Sequence, residues 1–148
     1  MTTVAYTRGV QHLLTNGAAN VVLRALLVEL DSTYVPDVDH DFLTDFTGGG
    51  GGELDDASAA RKTLAGVAVV IEDASNRCVL DCDDITWAAL TGGETVKGAL
   101  VYIRVGADDT TPADDVLLWY DDDLEDKVAQ GSDYALQTPN GLIRFTAA

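Results

Sequence analysis

Basic residues are scarce in this 148-residue chain, and lysine is the scarcest of them. Nine Lys and Arg stand against 25 Asp and Glu, which gives a formal net charge of -16. The lysines are Lys62, Lys97 and Lys127. Because such a surface repels phosphate backbones, no nucleic-acid partner is expected.

Long apolar runs are also missing. No segment approaches 18 continuous apolar residues, so no transmembrane helix and no membrane partner are expected. The opening stretch MTTVAYTRGVQHLL has no basic lead followed by an apolar core and a small-residue cleavage site. No signal peptide is therefore predicted.

Cysteine and histidine are too few for most site chemistry. Cys78 and Cys82 lie four residues apart, about 13 Å along a strand, whereas a disulfide needs Cα atoms within about 7 Å. We expect both thiols to be small core side chains. A zinc site would need further ligands, and the only histidines are His12 and His40.

Catalytic motifs are missing as well. The chain has no Gly-x-Ser-x-Gly elbow, and no Gly-Lys-Ser/Thr follows its glycine run. Neither cysteine has a convincing histidine partner. The sequence therefore predicts no enzyme and assigns no catalytic, cofactor-binding or metal-binding residue.

What the chain has in excess is aspartate, and two explanations of the acidity stay open. A dense carboxylate surface keeps a protein hydrated in a very salty environment, where self-repulsion is screened. The same surface suits docking onto a basic partner.

The pattern of apolar residues and turns predicts one mainly β domain. Residues 6–16 have helical spacing before Asn16-Gly17, and residues 20–30 favour a buried strand. We expect an N-terminal arm or helix at 1–17, a β domain at 18–148 and a flexible glycine-rich loop at 47–56.

Strand signals dominate after residue 62. A strand broken at Gly66 leads into a predicted hairpin over 67–87, with its turn at 73–76. Strands follow at 95–106 and 116–124, and a final hairpin is predicted around Pro139-Asn140-Gly141. This spacing indicates an all-β fold: an antiparallel β-sandwich or jelly-roll-like domain with a short N-terminal helix.

The loop STYVPDVDHDFLTDF has the spacing that opens a calcium loop, at Asp37, Asp39 and Asp41. An EF-hand would require glycine at its sixth position and glutamate at its twelfth, where this chain has Phe42 and Gly48. A solvated acidic loop is favoured, with an irregular ion site as the alternative. The apolar side chains of Phe42, Leu43 and Phe46 predict that the loop folds back onto the core.

Two segments, CDDITW and WYDDDLED, place carboxylates near tryptophan. Such pairs occur in glycosidase sites and on sugar-binding faces. Aspartate is so frequent here that the pairing has little information. Trp87 and Trp119 are predicted to be core residues or interface anchors.

The order of motifs resembles a known family. STYVPDVDHDF is followed by KTLAG before a strand, by LDCDDITW, and by a last strand after Asn-Gly. Over about residues 6–146 this is similar to small structural proteins encoded among the head genes of tailed viruses of bacteria and archaea. The glycine run and the two cysteines depart from the pattern.

The resemblance implies a virion protein without cofactors, made in the host cytoplasm. Its expected role is a capsid decoration (cement) protein on the outer capsid surface, with the major capsid protein as partner and a homotrimer as the assembly. The alternatives are a neck, tail or fibre-base protein, or a carbohydrate- or calcium-binding β module.

Overall fold

Antiparallel β-sheets are the main regular structure of the computed structural model, which describes residues 3–124, 127–138 and 141–146. The strands are β1 Thr3–Ala5, β2 Val22–Glu29, β3 Lys62–Thr63, β4 Ala68–Glu72, β5 Arg77–Asp81, β6 Ile85–Leu90, β7 Thr95–Arg104, β8 Val116–Asp121, β9 Lys127–Val128, β10 Ser132–Leu136 and β11 Ile143–Thr146. The helices are α1 Thr7–Asn16 and α2 Leu43–Gly48, with 3₁₀ turns at Ala18–Asn20, Ala57–Ala59 and Asp73–Ser75. The prediction of an all-β domain with a short N-terminal helix is confirmed.

A central sheet organises the molecule. Its strand order is β1-β8-β7-β2-β3, and β9 pairs with the start of β7. β7 and β8 are buried along almost their whole length. Their near-continuous apolar sequences, GALVYI and VLLWY, suit strands that are covered on both faces.

Each face of the central sheet has its own core. Along β2, Leu23, Ala25 and Leu27 join the larger core, whereas Leu26 and Val28 join the smaller one. This division follows from the two-residue period of a strand, which sends alternate side chains to opposite faces.

The loop after β2 covers the smaller core. Tyr34, Leu43 and Phe46 are buried there. The prediction that this loop folds back onto the core is confirmed, and α2, Leu43–Gly48, is the part of the loop that does so.

The glycine run after α2 lies close to its neighbours. A Cβ at Gly51 would come 2.7 Å from the Phe46 ring, and Gly50 has a φ of +84° beside Thr33. The backbone amide of Glu29 donates to the carbonyl of Gly52. The four glycines from 49 to 52 therefore allow tight packing against α2, Thr33 and β2, which a flexible glycine-rich loop at 47–56 did not lead us to expect.

Two small sheets cover the larger core. The predicted hairpin with its turn at 73–76 is present as β4 and β5, but its return strand is shorter than predicted and the final hairpin is absent. The strand expected to run to Trp87 ends at Asp81, and β6 pairs with β10 instead. β11 pairs with β5, so β10 and β11 do not form the final hairpin. Burial of Leu142 and Ile143 against Leu80 outweighs the local turn signal. Pro139 and Asn140 of that turn lie outside the described residues.

The N-terminal segment is integrated into the fold. β1 pairs with β8, and the Tyr6 side chain is fully buried with its hydroxyl 2.9 Å from that of Tyr34. α1, at ten residues, is the longer of the two helices in the described part of the chain, and neither is long enough to cross a bilayer.

Candidate interaction surface

The carboxylates of the acidic loop bind groups within the chain. Asp37 accepts from the backbone amide of Asp39, and Asp41 forms a 2.9 Å ion pair with Arg8. Asp45 accepts from the backbone amides of Asp41 and Phe42. These two hydrogen bonds lower the pKa of Asp45, and the one from the Phe42 amide has the larger effect.

No group of three or more His, Cys, Asp or Glu side chains with metal-binding geometry occurs among the described residues. His40 lies in the same loop, with Nδ1 2.9 Å from the Tyr34 hydroxyl. The loop is thus tied by its histidine to the smaller core and by Asp41 to α1.

Both tryptophan side chains pack inside the fold. Trp87 is 0% exposed, and its indole nitrogen donates to the carbonyl of Ala60. Trp119 is also buried. Their burial confirms the prediction of core residues.

Both cysteines are free. Cys82 is buried, and burial raises the pKa of its thiol, so the sulfur stays protonated at neutral pH. Cys78 is half-buried on β5. His12 lies on α1.

An acidic depression lies at the end of β2. Glu29, Asp31 and Glu94 line it together with Leu30, Gly93 and Thr95. Burial, and then the neighbouring Asp31 and Glu94, raise the pKa of Glu29. The depression shows how closely like charges are crowded in this molecule.

The most distinctive surface is an apolar groove of about 390 Å³ between α1 and the β4-β5-β11 sheet. We call it the α1–β4 groove. Its lining residues are Val10, Leu13, Leu14, Ala18, Val69, Cys78, Leu80 and Phe145. None of them is charged, on a chain that has 25 acidic residues.

Gly9 positions the helical wall of this groove. A Cβ at Gly9 would lie 2.7 Å from the Cα of Leu118, so α1 rests directly on the backbone of β8. Leu13 then enters the core, while Leu14 remains 76% exposed at the groove.

The sheet wall follows from strand register. Ile71, Cys78 and Phe145 stand side by side across β4, β5 and β11. Val69, Leu80 and Ile143 form the next row on the same face. Ile71 is 73% exposed, and Val69 and Phe145 are also exposed. Contiguous exposed apolar side chains of this kind mark binding surfaces for other macromolecules.

This surface is not predictable from the sequence. The apolar run AVVI at 68–71 contributes to it, but such a run is equally typical of a buried strand. The acidic loop and the two tryptophans, which the sequence makes conspicuous, lie on other parts of the fold.

Comparisons with known proteins found no matching family model, no matching curated protein and no matching solved structure.

Proposed function

We propose that the protein is a structural component of a virion, a capsid decoration protein that binds the major capsid protein on the outer face of the capsid. The order of its sequence motifs supports this proposal. The observation that carries it is the α1–β4 groove, an uncharged apolar surface on an otherwise strongly acidic chain.

The charge distribution indicates what the partner presents. The groove favours an apolar segment, because burying a carboxylate or ammonium there would leave it without a partner. The surrounding net charge of -16 favours basic groups around that segment. An apolar, basic-flanked segment repeated over a capsid lattice would bind many copies of the protein.

Binding to purified capsids tests the proposal. The chain is mixed with capsids of its virus assembled without it, and the bound fraction is measured after sedimentation. Leu14→Asp and Val69→Asp each place a carboxylate in the groove, and each is expected to lower affinity at least about tenfold.

Val35→Asp is the matched control. Val35 is 76% exposed, as Leu14 is, but it lies in the loop that covers the smaller core. It should bind as the unmodified chain does. Circular dichroism spectra of all three variants establish that the fold is retained.

Two outcomes would overturn the proposal. One is equal binding by Leu14→Asp, Val69→Asp and the unmodified chain. The other is cryo-electron microscopy density for the protein at the neck or tail of the particle and not on the capsid lattice, which would favour the neck, tail or fibre-base alternative.

A further inference from the structure

β4 is an edge strand with little of the usual protection against pairing. It hydrogen-bonds to β5 on one side, and no other strand in the described part of the chain pairs with its outer side. Its sequence, Ala68-Val69-Val70-Ile71-Glu72, has no lysine, no proline and no bulge in its register with β5. Natural edge strands often carry such devices, and the single charge of β4, Glu72, stands at the end of the strand and is paired with Arg77.

Both faces of β4 are apolar and exposed. Val69 and Ile71 point to the groove side, and Val70 points to the opposite side. An open row of backbone donors and acceptors flanked by β-branched side chains is a template for another strand.

We propose that a second copy of this chain pairs with β4 antiparallel to it, around a two-fold axis at Val70. The two sheets then join into one sheet of six strands, β11-β5-β4 continued by the same three strands of the partner copy in reverse order. This inference concerns the free protein and does not rest on capsid binding.

The charges allow this register despite the net charge of each chain. Antiparallel pairing centred on Val70 sets Glu72 of one copy opposite Ala68 of the other, not opposite a second carboxylate. Glu72 is already paired with Arg77 of its own chain. In the row of Glu72 and Ala68 the next carboxylate is Asp81, two strand spacings or about 10 Å away, which exceeds the screening length of about 8 Å at physiological salt. The closer approach is that of Asp73 to the Asp83 carboxylate beside Gly66 of the other copy, a repulsion that added salt screens.

The same register places Val70 opposite its own symmetry mate, and this gives a specific test. The mass of the full chain is measured by analytical ultracentrifugation over a range of concentrations. A dimer is expected, and because the two chains repel each other, its dissociation constant should fall as NaCl is raised.

Val70→Lys and Val70→Asp each place two like charges opposite each other across the two-fold axis. Each variant alone is expected to weaken the dimer at least about tenfold, whereas an equimolar mixture should restore it as a heterodimer. The mixture is the control for misfolding, because two variants that had failed to fold would not form a dimer when they are mixed.

Several results would overturn the inference. They are a monomer at every concentration and salt, a trimer whose mass neither variant changes, and two weakened variants that do not recover on mixing. Because Val70 faces away from the groove, capsid binding through the groove can fail while dimerisation succeeds, and the reverse also holds.

Discussion

At the scale of the single residue, Asp45 shows what the acidic loop does for the fold. Its carboxylate accepts two backbone amides at the start of α2, at 2.8 Å from Asp41 and 2.9 Å from Phe42. Asp45→Ala leaves these amides without that acceptor. We expect a loss of about 1 kcal/mol in the free energy of unfolding, measured by urea titration.

The pH dependence of that loss is fixed by the pKa of Asp45. Because the folded-state pKa is lowered, the stabilisation is fully present above the ordinary value of 3.8 and disappears as pH falls through the lower folded-state pKa. The variant and the unmodified chain should therefore converge in stability in acid. Asp39→Ala, in the same loop, is the control and should change stability little. A gap that persists or widens in acid would contradict the assignment.

Only part of the role of this loop was predictable. The apolar residues Leu43 and Phe46 predicted that the loop packs on the core, since their burial is strongly favourable. The role of Asp41 was not predictable, because its ion pair with Arg8 depends on how α1 is placed against the loop. The D-x-D-x-D spacing is the same whether or not Asp41 pairs with Arg8, so it does not predict the ion pair.

At the scale of the element, the position of α1 depends on a residue without a side chain. In a helix, replacing glycine by alanine normally stabilises by up to about 1 kcal/mol. Gly9→Ala should do the opposite, because its methyl group would overlap the backbone of Leu117 and Leu118. We expect a loss of about 2 kcal/mol in the free energy of unfolding.

Gly48→Ala is the matched control for this substitution. Gly48 ends α2, and a Cβ there would meet no atom within 4 Å. Its effect should be neutral or slightly stabilising. Both variants can be followed by tryptophan fluorescence in urea, since Trp87 and Trp119 are buried in the folded chain. Equal effects at the two positions would show that α1 does not rest on β8 as described.

The elements themselves were more predictable than their partners. α1, β2 and β7 have strong local patterns, and each lies within a residue or two of its predicted position. The pairings of β10 with β6 and of β11 with β5 join distant parts of the chain, so turn residues between β10 and β11 gave the wrong answer. The α1–β4 groove was unpredictable for the same reason, because its walls come from residues 10–18, 69–80 and 145.

At the scale of the whole molecule, acidity is the dominant property. With 25 acidic and nine basic residues, at least 16 carboxylates have no cation of their own. Four arginines, Arg8, Arg24, Arg61 and Arg77, already form ion pairs within the described part of the chain. Folding brings the remaining carboxylates closer together than they are in the unfolded chain, so repulsion among them opposes folding.

Salt should therefore stabilise the folded chain. Raising KCl from 0.1 M to 1 M shortens the screening length from about 10 Å to about 3 Å. We expect the free energy of unfolding to rise by at least about 1 kcal/mol, measured as a shift of the urea midpoint. Glu94→Gln is the control, because it removes one of the charges that raise the pKa of Glu29. It should stabilise the chain at 0.1 M KCl and have a smaller effect at 1 M. A midpoint that does not move with KCl would show that repulsion costs the fold little, and it would favour a docking role for the acidic surface over adaptation to salt.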